Sequence, residues 1–307
     1  MLLEQIQSYT KLSSTQLEWY ALTASKRYKT YSIPKRSGGV RVIQHPSKEI
    51  KALQRLLNKV LFIHFPIHPC ATAYRVGSGI RINASKHVNS NFTLHNDFES
   101  YFPSFSSEHV ALFLRQKGLQ LDIALPEEDI GFIRRIVCKN DALTIGAPSS
   151  PILTNIIMFD FDVELEAWCL NRGLVYTRYA DDIYISSTEP RGLEGTSMFI
   201  EELASRYPYA NLKVNHAKST FLSRRYRRAI TGLVVSTERN LSIGRDRKIA
   251  IKSNVYKYLN HNLEPEALGR LIGMLAFVKD VEPTFYLTLQ RKYGVQEMER
   301  LISRSPK

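Results

Sequence analysis

The sequence predicts an α+β fold with an antiparallel sheet, not a doubly wound parallel one. Three observations lead there. The elements run helix, hairpin, strand and helices, a second hairpin, helix, short strands and a helical tail. Two β-rich runs, Leu174 to Tyr179 and Ile183 to Ser187, are joined only by Ala180-Asp181-Asp182, so they read as a hairpin with carboxylates at its tip. From about Lys248 the pattern is helical, with Leu268, Leu271, Ile272, Leu275 and Val278 on one apolar stripe.

Residues 2–26 read as helical, with Leu17, Trp19 and Leu22 expected in the core. Lys29 to Ile33 alternates as a strand does, Pro34-Lys35-Arg36-Ser37-Gly38-Gly39 signals a turn, and Val40 to Ile43 returns, giving a basic hairpin. Ser47 can cap the next helix, whose Ile50, Leu53, Leu56, Leu57, Val60 and Leu61 share a face. A short helix is expected over 80–88, a strand over 91–97 that ends at Asp97, and helices over 107–117 and 127–138. Gly146 to Pro151 is a loop, with Ser150 as N-cap and Pro151 as the first residue of a helix running to about Leu170. A helix over 191–206 and short strands over 219–223, 230–235 and 240–243 follow. The polar, Gly-containing stretch 236–247 is the expected subdomain hinge.

The chain has 307 residues and a formal net charge of +13, from 42 Lys and Arg against 29 Asp and Glu. Residues 1–90 hold 14 basic and 3 acidic side chains, residues 91–210 hold 9 and 18, and residues 211–307 hold 19 and 8. The three segments therefore carry +11, −9 and +11. Two basic flanks suit a polyanion gripped from two sides, although a solvated basic surface gives the same sum. The acidic centre is the anomaly, because carboxylates repel nucleic acid unless a cation sits between them.

An apolar fraction of 44% argues against wholesale disorder. The start MLLEQIQSYTKLSS lacks the basic and apolar regions of a signal peptide. No apolar run reaches the ~18 residues that spanning a membrane needs, and the longest candidate, Val60 to Ala73, is interrupted by His64, Pro66, His68 and Pro69. Cys70, Cys138 and Cys169 are odd in number, widely spaced and without a CxxC, so buried reduced thiols in a cytoplasmic protein are expected.

The chemistry points to the acidic centre. Asp97 ends one strand, and Asp181 and Asp182 sit at the tip of a hairpin flanked by Tyr179 and by Ile183-Tyr184-Ile185. If these strands share a sheet, the carboxylates converge, which is costly unless they are protonated or bridged by a metal. Hard oxygen ligands favour Mg²⁺, and two such ions clamp the attacking and leaving oxygens of a phosphoryl transfer.

These residues resemble those of reverse transcriptases, over roughly Arg27 to Val235 and in the family's order. Asp97-Phe98-Glu99-Ser100-Tyr101-Phe102-Pro103-Ser104-Phe105 looks like the first catalytic motif of the palm, Tyr179 to Asp182 resembles the YxDD box, and Gly146 to Pro151 looks like the loop before the template-supporting helix. Leu212-Lys213-Val214-Asn215 with Lys218 is similar to the next palm segment. Asn83-Ala84-Ser85-Lys86-His87 fits the NAxxH box, and Ile230-Thr231-Gly232 the VTG box, typical of bacterial retron enzymes. The length also suits that group better than a group II intron protein with its maturase region. One departure is Ile145, where the family usually carries a Gln whose amide can reach nucleic acid or nucleotide.

The resemblance implies a right-hand polymerase: N-terminal helices and fingers over 1–90, a catalytic palm with finger insertions over 91–235, and a helical, RNA-binding thumb over 236–307. It implies an RNA-directed DNA polymerase with two Mg²⁺ ions on Asp97, Asp181, Asp182 and the Phe98 carbonyl. Phe102 falls where the family places the bulky residue that excludes a ribose 2′-OH. Arg41, whose planar fork suits phosphate, is the expected triphosphate ligand, with Arg27 and Lys29 as runners-up. Gly146 and Ala147 are expected beside the nascent base pair, and Lys218 as proton donor to pyrophosphate. Asn83 and His87 are structural or RNA contacts. The run Arg224-Arg225-Tyr226-Arg227-Arg228, extended by Arg245, Arg247, Lys248 and Lys252, suits an RNA backbone with a stacked base.

The resemblance further implies a cognate structured non-coding RNA as template and primer, a guanosine 2′-OH as the priming group, dNTPs as substrates and branched multicopy single-stranded DNA (msDNA) as product. It also implies antiphage defence with an associated effector protein. Two other readings stand beside it: a scaffold for RNA and effector with slight polymerase activity, and another bacterial reverse transcriptase lineage of the diversity-generating or abortive-infection type. The intact Asp97, Asp181 and Asp182 speak for the enzyme.

Overall fold

The computed structural model describes residues 2–34, 38–123 and 125–303. It has three antiparallel sheets among helices, as the α+β reading requires. The first sheet is the basic hairpin β1 (Tyr28–Pro34) and β2 (Val40–Pro46); Lys35, Arg36 and Ser37 of its expected turn lie outside the described residues. The second has the order β4-β5-β3-β6, from β3 (Phe92–Asp97), β4 (Val175–Tyr179), β5 (Asp182–Ser187) and β6 (Thr220–Ser223). The third joins β7 (Arg228–Ile230), β8 (Leu233–Val235) and β9 (Leu241–Ser242).

Several boundaries differ from the sequence reading. The first helix is two, Leu2–Thr10 and Ser14–Thr23, because Lys11 turns left-handed (φ 60°) and Ser13 starts a new capping box with Gln16. Leu17 and Ala21 form its buried face, while Trp19 and Leu22 point outward, 52% and 60% exposed. Trp19 instead carries the Arg27 guanidinium at 4.1 Å from its ring centroid. Ser47 caps Lys48–Val60 as expected, its hydroxyl accepting from the Ile50 amide. The loop helix begins at Ser150, one residue early, because Ser150 Oγ accepts from the Thr144 amide (3.3 Å) and is not free to cap. That helix ends at Ile157 and a second, Phe159–Leu170, follows Met158. The strand expected over 230–235 is broken by a two-residue turn between β7 and β8, since Thr231 and Gly232 both take positive φ (45° and 80°).

Two cores hold the chain. The larger unites Ile50, Leu57, Phe62, Phe105, Leu114, Ile133, Phe161 and Ile185. The smaller packs the helices Arg245–Leu259, Pro265–Val281, Pro283–Tyr293 and Val295–Ser303 through Ile251, Leu271, Leu275, Val278, Leu289 and Leu301. Leu271, Ile272, Leu275 and Val278 of the predicted stripe are buried there. This core takes in Ile230, Leu233 and Val235, and two residues from far upstream, Ala84 and Tyr184. All three cysteines are buried and unpaired. No helix among the described residues is long and apolar enough to cross a membrane.

Candidate active site

The second sheet brings the predicted carboxylates to one edge. Asp97, the last residue of β3, is the register partner of Asp182, the first residue of β5. Asp181 lies in the two-residue turn between β4 and β5, whose strands close at the Tyr179–Asp182 pair. The Phe98 amide donates to the Asp181 carbonyl (3.2 Å), and the Asn215 amide donates to the Asp97 carbonyl (2.8 Å). Three chain segments, around positions 97, 181 and 215, thus meet through backbone bonds.

The turn is held from beneath. Ala180 sits in the left-handed region (φ 59°), which a non-glycine residue occupies only when its surroundings enforce it. Arg178 Nη1 donates to the Ala180 carbonyl (3.1 Å), and also reaches Tyr101 Oη and Asn155 Oδ1. Its other nitrogens grip Asp162, Nε at 2.8 Å and Nη2 at 2.6 Å, while Tyr176 Oη donates to the same carboxylate at 2.6 Å. Arg178 and Asp162 are fully buried.

The electrostatics of the edge are unbalanced. Burial first, and then the neighbouring Asp182 and Asp97 charges, push the Asp181 carboxyl up to about 6. Lys218 Nζ lies 2.7 Å from Asp97 Oδ1, and that bond raises the lysine, so it stays protonated. His95 Nε2 lies 2.7 Å from Asp182 Oδ1. The converging donors are carboxylate oxygens of Asp97, Asp181 and Asp182, which suit a hard divalent cation, and an excess of converging negative charge is what such a cation discharges.

A second group of potential ligands, His68, Cys70 and Glu166, fits a metal less well. The Cys70 amide donates to His68 Nδ1 (3.4 Å), so Nε2 carries the hydrogen that faces Glu166 (3.4 Å). The Cys70 thiol donates to Glu166 (2.8 Å), and burial with that carboxylate holds it well above its usual range.

The remaining predicted residues divide. Arg41 is exposed on β2 opposite Ile33; burial first, and then the Asp181 charge, raises the Tyr74 hydroxyl, and the Arg41 charge partly offsets this. Phe102 is half-buried against the core and edge-on to Tyr101. Gly146 has φ 111°, and a Cβ there would meet the Gln44 carbonyl at 2.9 Å; the Gln44 amide in turn donates to the Ile145 carbonyl (2.8 Å). The glycine thus lets the loop pack against β2, and Ala147 is buried rather than presented.

Asn83 and His87 are fully buried, which removes them as RNA contacts. The Thr72 hydroxyl donates to Asn83 Oδ1 (2.9 Å), and His87 Nε2 lies 2.7 Å from Thr177 Oγ1, with the imidazole pushed down to about 3 by burial and by Arg228. Arg228 is likewise buried, donating to the Ser90 and Val88 carbonyls. Lys248 is paired with Glu282, and Arg247 Nη1 donates to the Gly232 carbonyl (3.0 Å). Arg224, Arg225, Arg227 and Arg245 are exposed, as is Tyr226 at 73%. Arg227, Arg245, Lys248 and Lys252 border one open groove with Val234 and Ile249.

Sequence reasoning missed His95, Arg178, Asp162 and Tyr74. Period two in FTLHND puts His95 on the face of Asp97, and an Arg inside an otherwise uncharged strand needs a buried partner; both signals were present in the sequence.

The family described as Reverse transcriptase (RNA-dependent DNA polymerase) matches residues 33–263. The chain belongs to the reverse transcriptases. Curated relatives narrow it to the retron type: Retron Ec83 reverse transcriptase of Escherichia coli is 34% identical over 87% of this chain and 87% of its own length. Retron Ec86 reverse transcriptase of the same organism is 29% identical over 97% of this chain and 92% of its own. Among solved structures, apo telomerase from Candida tropicalis aligns with a TM-score of 0.54 and 13% identity, covering 96% of this chain and 66% of that one, a likeness of fold alone. This retron reverse transcriptase is an RNA-directed DNA polymerase with the right-hand polymerase fold.

Proposed function

We propose that this enzyme copies a cognate structured non-coding RNA into branched msDNA, priming from the 2′-OH of a guanosine in that RNA. The observation that carries the catalytic part is the register of Asp97 against Asp182 with Asp181 in the adjoining turn. Asp97, Asp181, Asp182 and the Phe98 carbonyl would hold two Mg²⁺ ions, which when bound activate the attacking hydroxyl and stabilise the pyrophosphate leaving group.

The chain's own residues do the rest. Arg41 binds the triphosphate of the incoming dNTP. Protonated Lys218 gives its Nζ proton to the departing pyrophosphate. Phe102 closes the space a ribose 2′-OH would need, so Phe102→Val raises ribonucleotide incorporation in a competition between dNTPs and rNTPs on a primed template. Gly146 and Ala147 shape the loop beside the nascent pair, where Ile145 offers no amide donor. The exposed Arg224, Arg225, Arg227 and Arg245, with Tyr226, hold the RNA. In this reading 1–90 form N-terminal helices and fingers, 91–235 the palm, and 236–307 the thumb.

The resemblance to retron enzymes supports the RNA template, the branched product, a cytoplasmic location and an antiphage role with an effector partner. The test is expression of the gene with its flanking DNA. Short single-stranded DNA that shifts on debranching, and is absent from Asp181→Ala/Asp182→Ala, is the expected result. DNA that persists in that variant refutes the catalytic assignment, and unbranched DNA refutes the priming.

A further inference from the structure

A row of side chains crosses the whole sheet directly behind the carboxylates. Thr220 on β6, His95 on β3, Tyr184 on β5 and Thr177 on β4 are successive register partners. They share the face of Asp97 and Asp182, two residues further along each central strand. The His95 and Tyr184 rings stack with centroids 4.7 Å apart and planes 20° apart.

Two members of the row are tied to different elements. His87 lies 2.7 Å from Thr177 Oγ1. The Thr231 amide, in the turn between β7 and β8, donates to Tyr184 Oη (3.2 Å). Thr231 also bonds the Ile80 carbonyl (3.2 Å) and lies 3.4 Å from Asn83 Nδ2. Tyr184 itself belongs to the C-terminal core, together with Ala84 of the short helix Ile80–Ser85 that carries Asn83. At its front, the row touches the active edge at one point, His95 Nε2 on Asp182 Oδ1. An ionised carboxylate only accepts, so Nε2 carries the hydrogen here.

We propose that His95 and Tyr184 are positioning residues for Asp182, fixing its carboxylate according to how the C-terminal core is seated on the sheet. The argument rests on the reading of Asp182 as a metal-binding carboxylate. Holding Oδ1 fixes where Oδ2 points. The His95 ring cannot shift without leaving Tyr184, and Tyr184 cannot shift without breaking the bond to Thr231. The buried Asn83, Ala84 and His87 of the NAxxH box and Ile230 of the ITG box therefore act through packing. Partners of this kind, which orient a metal ligand, set metal affinity by about 10–100-fold.

The test compares His95→Ala, His95→Gln, Tyr184→Phe and Asp182→Asn as purified full chains. Mn²⁺ binding is followed by electron paramagnetic resonance without nucleic acid, and the Mg²⁺ dependence of primer extension is measured beside it. His95→Ala weakens Mn²⁺ about 10-fold or more, and raises the half-saturating Mg²⁺ in step, while the KM for primed template stays put. His95→Gln, which keeps a donor, recovers part of the loss. Tyr184→Phe, which loses one hydroxyl acceptor, shifts both readouts the same way by about 2–10-fold. Wild-type Mn²⁺ affinity in His95→Ala overturns the proposal, as does a Tyr184→Phe variant that melts lower with unchanged metal binding. Asp182→Asn separates the two layers: if it binds Mn²⁺ and extends primers normally, the metal-binding reading of Asp182 has failed instead.

Discussion

Two acidic sites lie within one hairpin's reach and are built in opposite ways. Asp162 is fully buried, yet Arg178 meets it with two nitrogens and Tyr176 with a hydroxyl. Asp181, three residues beyond Arg178, is partly buried beside two further carboxylates, with Lys218 on Asp97 and His95 on Asp182 as the neighbouring basic groups. The first site spends its charges on each other and fixes the turn through the Ala180 carbonyl. The second keeps an excess of negative charge at the edge where the turn points. A balanced buried pair is structural; an unbalanced one is a place kept for a cation.

The contrast breaks first at Asp162. Asp162→Ala leaves Arg178 buried and unpaired, which costs about 3–5 kcal/mol, so denaturant unfolding should show a protein that is barely folded or insoluble. Asp181→Asn should do the reverse and leave stability equal or higher at neutral pH. A near-normal unfolding midpoint in Asp162→Ala would dissolve the distinction.

Acidity sharpens it. The folded-state pKa of Asp181 is raised from 3.8 to about 6, so the folded chain holds this proton more tightly than the unfolded chain. The resulting stability is fully present below pH ~4, and is lost as pH rises through about 6. At neutral pH the charged carboxyl then costs about 3 kcal/mol. Melting curves of the metal-free protein should therefore fall relative to Asp181→Asn between these limits. Mg²⁺ at pH 7.5 should recover the difference in the wild type and not in the variant. Identical pH profiles for the two proteins would remove the unbalanced charge from the account.

The basic surface repeats the contrast with a smaller effect. Arg228 is buried on the Ser90 and Val88 carbonyls, whereas the exposed Arg225 lies 6.0 Å from the ring centroid of exposed Tyr226. Arg225→Ala should weaken RNA binding uniformly and reduce the salt slope by about 1. Arg228→Ala should lower the melting temperature with the salt slope unchanged. Equal salt slopes in both variants would put the RNA elsewhere.

The sequence made the catalytic edge legible because its signals are local. A strand of period two ending at Asp97, and a two-residue turn carrying Asp181, need no distant partner to be read. The framework was illegible for the opposite reason. Asn83 and His87 look like polar helix residues until Thr72, Thr177 and Thr231 arrive from 11 to 148 positions away to bury them. Arg228 is one of five residues in a basic run, and only the folded chain singles it out. Trp19 and Leu22 looked like core by hydrophobicity, but Leu17 and Ala21 set the buried face, and a short helix has room for one. His95 was within reach of pattern reasoning, since it shares a face with Asp97, but its partner Asp182 lies 87 residues on.

The central claim is that the unbalanced carboxylates carry metal-dependent DNA synthesis on RNA. It is tested most directly by primer extension on an RNA template, with purified wild type, Asp97→Asn and Asp181→Asn across a Mg²⁺ titration, each variant checked for a native melting transition. The account predicts DNA from the wild type only with Mg²⁺, and none from either folded variant at any concentration. Wild-type synthesis by a folded Asp181→Asn or Asp97→Asn protein would contradict it.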